Sequence, residues 1–296
     1  MQKRQPLLAP LIDRLTSSDG AYQTAIPSLT LNRWSHPGAG VCVMTSPALT
    51  IAVQGIKRVM LGDETYTYDA AHYLVTAVDL PVVAQIITAT PQAPYLCLSL
   101  QIDRRIVDEI LATMPPVMAP VRVSRGIGVN PLTPPLVDAA CRLVRLLDTP
   151  RDILTLAPLI EREILYRALS SDDSGRLTAV SGGHGQSRQI ARAIAWIVSN
   201  YAQPLRVETL AREVGMSVSS FHYHFKALTA LTPLQYQKHL RLAEARRLML
   251  TEQLDAASAS YRVGYESPSH FSREYRRRYG APPARHIETT RQAGSV

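Results

Sequence analysis

The sequence predicts an α+β chain in two parts: a β-rich barrel or sandwich with appended helices, then an all-α part built on two helix-turn-helix units joined by a helix. Three observations support this. Short apolar segments, each closed by turn residues, recur at regular spacing between residues 29 and 102. A helix-turn-helix pattern over 207–226 returns about fifty residues later. A chain of 296 residues is long enough to bury two separate cores.

Residues 1–25 predict one helix, with Leu8, Leu11, Ile12 and Leu15 at helical spacing and Asp19-Gly20 as its stop. Strands are expected at 29–34, 41–45, 48–53, 58–61, 65–68, 72–77, 82–87 and 95–102. Pro37-Gly38, Gln54-Gly55, Gly62-Asp63, Asp69 and Pro91 divide them. After Ile102 the period becomes helical. Ile106, Ile110 and Leu111 mark a helix over 104–113 that Met114-Pro115-Pro116 ends. A second follows Thr133-Pro134-Pro135, with Leu136, Ala140, Leu143, Val144 and Leu147 on one side. A third starts near Thr149-Pro150 and carries Leu154, Leu156, Leu159, Ile160, Ile164, Leu165 and Leu169. Ordinary core is the expected role of these faces, a dimer contact the alternative. The stretch SSDDSGRLTAVSGGHGQS, 170–187, has linker composition, which divides the chain into 1–175, a linker 176–187 and 188–296.

In the second part Ile190, Ile194, Ile197, Val198 and Tyr201 form a first helical stripe. Leu210, Ala211 and Val214 form the next, and Gly215 closes it, because a helix that ends so tightly needs a residue at ease with positive φ. Ser217 is placed to cap a second short helix, on which Phe221 and Phe225 lie four apart. In such a unit the second helix enters the DNA major groove, and here Ser219, Ser220, His222 and Tyr223 lie between the apolar anchors, where base edges are read. Gly264, Ser267, Phe271, Tyr275 and Arg276 repeat Gly215, Ser217, Phe221, Phe225 and Lys226, with one extra residue in the turn. Thr232-Pro233 starts a helix running to about Thr251 with Tyr236, Leu242, Ala245, Leu248 and Met249 inward. At about 1.5 Å per residue it spans roughly 27 Å, near the 34 Å between successive major grooves on one DNA face. Residues 288–296 are polar and expected to fray.

Charge separates the two parts. From Gln186 onward there are sixteen Lys and Arg against eight Asp and Glu; before it there are sixteen of each, so the whole net charge of +8 lies at the C-terminal end. That distribution implies a polyanion partner for one half only. Cys42, Cys97 and Cys141 have no CxxC spacing, which fits a reducing cytoplasm and neither a disulfide framework nor a zinc site. The N-terminus has no signal-peptide pattern, and the most apolar region, 73–102, is too interrupted by polar residues and prolines to cross a membrane.

The motifs LA at Leu210-Ala211, GMS at 215–217, FK at 225–226, PLQY at 233–236, RL with AR at 241–246 and the run from Val263 to Gly280 resemble the AraC/XylS transcriptional regulators, over Glu208 to Pro283. Within that region LDAASASYR carries Ala257, Ser258 and Ser260 where the family commonly has bulkier aliphatics. The runs VQGIKRVMLG, YTYDAAHYL, VDLP and PYLCLSLQID, between Val53 and Asp103, resemble the cupin-like N-terminal domain of one AraC-type subfamily, over most of 25–175. The resemblance implies a cytoplasmic, sequence-specific DNA-binding regulator. Its N-terminal barrel senses a small effector or forms a homodimer, and it activates transcription through contact with RNA polymerase.

The expected DNA-facing residues are Ser219, Ser220, His222, Tyr223 and Lys226 in the first recognition helix and Ser269, Ser272, Arg273, Arg276 and Arg277 in the second. Arg273 is the best placed for a guanine, whose O6 and N7 a guanidinium fork reaches together, while Arg276, Arg277 and Arg278 suit phosphates. Trp34, Tyr66, Tyr68, Tyr73 and Tyr95 are the aromatic candidates for an effector pocket. Neither catalytic residues, nor a cofactor, nor metal ligands are expected. Before the linker the only histidines are His36 and His72, too few for a metal-dependent cupin enzyme, and the HxH at His222 and His224 lies on the recognition helix. Two other readings stay open: an architectural DNA binder whose first half only dimerises, and an enzyme tethered to DNA. Cys97, in the alternating run CLSL, is either an inert core thiol or an oxidant target.

Overall fold

The computed structural model describes residues 8–114, 125–171, 176–181 and 185–293, and these divide into two units, the second taking Gln189 onward together with Cys42–Met44. The Pro115-Pro116 stop, linker residues 172–175 and 182–184, and tail residues 294–296 lie outside them.

Alternating apolar segments build the first unit. Helix α1 (Leu8–Leu15) buries Leu8 and Ile12, and ten strands follow: β1 (Gly20–Gln23), β2 (Leu29–Trp34), β3 (Val41–Thr45), β4 (Ala48–Gln54), β5 (Ile56–Leu61), β6 (Glu64–Tyr68), β7 (His72–Thr76), β8 (Leu80–Thr88), β9 (Tyr95–Gln101) and β10 (Ile127–Pro131). They form two sheets, in order β1-β2-β9-β4-β7-β10 and β3-β8-β5-β6. β9 lies inside the larger sheet because nearly all its residues can be buried: Tyr95 through Leu98 and Leu100 are at most 2% exposed. All eight predicted strands form, with shifts of one or two residues at their ends. β1 and β10 were not anticipated. β1 pairs only with β2 and alternates half-buried with exposed residues, and β10 carries Gly128 and Asn130, so neither shows a plain apolar run.

Helix α2 (Arg104–Thr113) covers the expected 104–113, and α3 (Pro134–Arg145) and α4 (Pro150–Ser171) start where Thr133-Pro134 and Thr149-Pro150 predict; Asp103 accepts from the Arg105 amide. In α4 Ile160, Ile164, Leu165 and Leu169 are core as expected, whereas Leu154 and Leu159 are 88% and 63% exposed and Leu156 is exposed too. The core assignment is corrected there, because those three lie off the buried stripe. The linker reading is corrected at both ends. Arg176–Ser181 forms α5, packed on α2, with Leu177 buried and Arg176 Nε donating to the Ile127 carbonyl, and α6 (Gln186–Ser199) already includes 186 and 187.

The second unit is all-helical: α6, α7 (Val207–Glu213), α8 (Val218–Thr229), α9 (Pro233–Thr251), α10 (Ala256–Arg262), α11 (Pro268–Tyr279) and α12 (Pro283–Ala293). The expected apolar sides hold: Ile190, Ile194 and Ile197 of α6, Leu210 and Ala211 of α7, and Tyr236, Leu242, Ala245, Leu248 and Met249 of α9 are all buried. α9 opens with a full capping box, in which Thr232 accepts from the Gln235 amide and the Gln235 side chain accepts from the Thr232 amide. α10 forms despite its small residues, because Asp255 accepts from the Ala257 and Ser258 amides and Ser260 is wholly buried. The frayed tail is corrected over 288–293. α12 continues through it, with Ile287 buried and Arg291 donating to the Met249 carbonyl at 2.7 Å.

Candidate nucleic-acid interface

Each pair α7–α8 and α10–α11 is a helix, a glycine at positive φ and a capped second helix. Gly215 and Gly264 stand at φ 75° and 89°. Ser217 and Ser267 accept from the Ser220 and His270 amides, so both recognition helices begin on a side-chain cap. Their inward faces match as well. Phe221 and Phe225 are fully buried with ring centroids 5.6 Å apart, and Phe225 meets Tyr236 of α9 edge-on. Phe271 and Tyr275 are fully buried at 5.5 Å, with Tyr265 against Phe271.

Burying those rings turns the opposite stripe to solvent. Ser219, His222, Tyr223 and Lys226 fall at i, i+3, i+4 and i+7 of α8 and are all exposed, Tyr223 by 66%. Ser269, Ser272, Arg273 and Arg276 repeat the spacing on α11, all exposed except the half-buried Ser272. The two stripes correspond position by position, which places Arg273 where the first helix has Tyr223. Ser220 is half-buried beside its stripe. Arg277 is exposed and ion-paired with Glu274 at 2.6 Å, and Glu274 also pairs with Lys238 of α9 at 3.2 Å. The HxH splits: His222 is outward and His224 is 8% exposed in the core, its pKa held down by burial. Two histidines on opposite faces do not form a metal pair. No group of three or more candidate metal ligands occurs among the described residues.

Sequence reasoning missed Arg241 and Gln237, one turn apart on α9. Arg241 donates to the carbonyls of Tyr201, Ala202, Gln203 and Gly264, and burial lowers its pKa. Gln237 donates to those of Tyr201 and Gln203. Their partners lie 23 to 40 residues away in sequence, so no local pattern marks them.

The sensor aromatics separate. Tyr68, Tyr73 and Tyr95 are buried, being 2%, 0% and 0% exposed; Tyr95 donates to the Tyr68 hydroxyl at 3.4 Å, and Tyr73 bonds Ser171 at 2.9 Å. Burial raises all three buried groups Tyr68, Tyr95 and Cys97, which leaves Cys97 a protonated core thiol. Tyr66 is half-buried and donates to Glu64 at 2.6 Å, and Trp34 is 40% exposed at the end of β2. A cavity of about 340 Å³ in this unit lies between Ser28, Gln101, Ile106, Glu161 and Leu165, and none of the five aromatics lines it.

Residues 25–176, half of the chain, match the family model described as AraC-type transcriptional regulator N-terminus. The chain belongs to the AraC-type transcriptional regulators. A second model, helix-turn-helix domain, matches 210–288 of this AraC-type chain. It is similar to the HTH-type transcriptional activator RhaS of Salmonella schwarzengrund (strain CVM19633), 28% identical over 142 residues, which are 48% of this chain and 51% of RhaS. RhaS of Salmonella typhimurium (strain LT2) matches to the same extent. The chain thus spans about half the length of the curated relatives it matches. Among solved structures it shares its fold with ToxT from Vibrio cholerae O395 bound to (E)-4-(8-methylnaphthalen-1-yl)but-3-enoic acid, at TM-score 0.59 and 10% identity over 88% of this chain and 98% of that one. Unsaturated fatty acid bound wild-type ToxT from strain SCE256 matches at TM-score 0.57 and 10% identity, over 88% and 93%. No described helix is long and apolar enough to cross a membrane.

Proposed function

We propose that this AraC-type regulator binds duplex DNA sequence-specifically through α8 and α11, inserted in successive major grooves, and activates transcription by contact with RNA polymerase. The observation that carries the reading is the doubled stripe: the same four positions lie opposite the buried rings on two capped helices of a unit that holds nearly all the chain's excess positive charge. His222, Tyr223, Ser219 and Ser220 in one helix and Arg273, Ser269 and Ser272 in the other read base edges, while Lys226, Arg276 and Arg277 hold phosphates. The first unit senses a small effector and shifts the population of DNA-competent states. Exposed Leu154, Leu156 and Leu159 on α4 support a homodimer contact in this unit. The carboxylic acids bound in the ToxT structures make amphipathic carboxylates the first effector class to screen. The cytoplasm, where a transcription factor meets its DNA, is the proposed location.

Selection of bound duplexes from a random-sequence pool by the full chain tests this. Enrichment of one two-part motif supports it; recovery of unenriched sequence at moderate salt removes it and leaves the architectural reading, in which binding rests on phosphates alone.

A further inference from the structure

Resting on the DNA-binding reading, the polar contacts of α9 with distant backbone say how the two recognition helices are held to each other. Arg241 Nε donates to the Tyr201 carbonyl at 2.7 Å, Nη2 to those of Ala202 and Gln203 at 3.2 and 3.0 Å, and Nη1 to that of Gly264 at 2.9 Å. Gln237 Nε2 donates to the Tyr201 and Gln203 carbonyls at 3.0 and 2.7 Å. The loop 201–203 joins α6 to α7 and so leads into the first helix-turn-helix; Gly264 is the turn of the second. One guanidinium therefore grips the backbone that enters the first and the turn of the second.

The grip is close. The guanidinium carbon stands 5.8 Å from the centre of the Tyr265 ring, which itself packs on Phe271 of α11. Gly264 and Ala202 touch so tightly that a Cβ on Gly264 would overlap the Ala202 carbonyl oxygen. A continuous helix fixes how far apart two appended units are, but their rotation about its axis must be fixed by contacts off the axis. A rigid, planar set of donors spread over four carbonyls does that, and a single point charge such as lysine does not.

We propose that Arg241, assisted by Gln237, is a positioning residue that locks the second recognition helix at one angle to the first and so sets the spacing between the two DNA segments the protein accepts. Both side chains are spent on backbone carbonyls, so their effect on recognition is indirect.

The test uses the full chain and a duplex selected by the wild-type protein, remade with one or two base pairs inserted or removed between the two recognised segments. One base pair moves the second segment by about 3.4 Å and a tenth of a turn. Wild type should lose about tenfold or more in affinity per inserted pair. Arg241→Gln should bind the parent duplex more weakly yet lose less than about threefold on insertion, Arg241→Lys should be intermediate, and Gln237→Met should flatten the profile in the same direction by less. A merely stabilising role would lower affinity without changing the profile. Wild-type spacing profiles in Arg241→Gln and Gln237→Met overturn the proposal, and where Arg241→Gln does not fold, the profile of Gln237→Met alone decides. Tolerance of insertions by the wild type also overturns it. If the wild type selects no duplex, the DNA-binding reading itself falls and takes this inference with it.

Discussion

Alanine placed at each of the two turn glycines should separate backbone strain from packing. Gly215 and Gly264 occupy equivalent positions at φ 75° and 89°, so each Gly→Ala change forces an L residue into the left-handed region at a cost of about 1–2 kcal/mol. Restricting the unfolded chain offsets about 0.4–1 kcal/mol of that in both. The surroundings differ. A Cβ at 215 would meet only the Gln189 amide nitrogen, at an ordinary 3.4 Å and on a flexible side chain. A Cβ at 264 would overlap the Ala202 carbonyl oxygen and lie 2.8 and 2.9 Å from its carbon and Cα, which are backbone atoms held by Arg241. Forcing that contact apart adds about 1–3 kcal/mol. Gly215→Ala should therefore destabilise the second unit by about 1 kcal/mol or less and Gly264→Ala by about 3. Urea unfolding in a Trp34→Phe background, where Trp196 of α6 is the only tryptophan, reads this unit alone. With m of about 1–3 kcal/mol/M, a 2 kcal/mol gap between the variants moves the midpoints apart by about 1 M. Equal midpoints, or a larger loss at Gly215, would refute the close packing of the second turn on 201–203.

Arg273→Ala should relax base preference in one segment of the selected motif and leave the other intact, as read by repeating the selection; an unchanged motif removes Arg273 from base reading. Arg276→Ala should weaken all duplexes alike and reduce the slope of log affinity against log salt by about 0.9 in a filter-binding titration. Stability of the second unit should fall on acidification. Burial, with the cations Arg278, Lys238 and Arg277 nearby, pushes His239 down to about 4, and burial also lowers His224 and His286. From about pH 6.5 down to 4 the unfolded chain takes up the His239 proton and the folded unit does not, and His224 and His286 act in the same direction, so stability rises with pH across that window and the contribution is flat above it. His239→Gln should shallow the slope of unfolding free energy between pH 4 and 6.5; an unchanged slope contradicts the burial of that ring.

Much of this was legible in sequence where one physical signal dominates. Gly215, Ser217, Phe221 and Phe225 fix turn, cap and buried face by local chemistry, and their recurrence as Gly264, Ser267, Phe271 and Tyr275 left little choice of fold. Thr232-Pro233 located α9 for the same reason. Signals that depend on a distant partner were not legible. Arg241 looks like any surface arginine of a helix until folding brings the carbonyls of 201–203 and Gly264 around it. α5 hides in a Gly/Ser/Asp-rich stretch, where Leu177 is too isolated in sequence to mark a helical stripe. Tyr68, Tyr73 and Tyr95 stand on strands, where sequence does not show how deeply each is buried.

Binding as proposed requires two recognition helices in two grooves of one DNA face. Hydroxyl-radical footprinting of the full chain on its selected duplex measures this directly. Two protected patches on one face, centred about one helical turn apart, are predicted. A single protected patch, or protection spread evenly along the duplex, would contradict it.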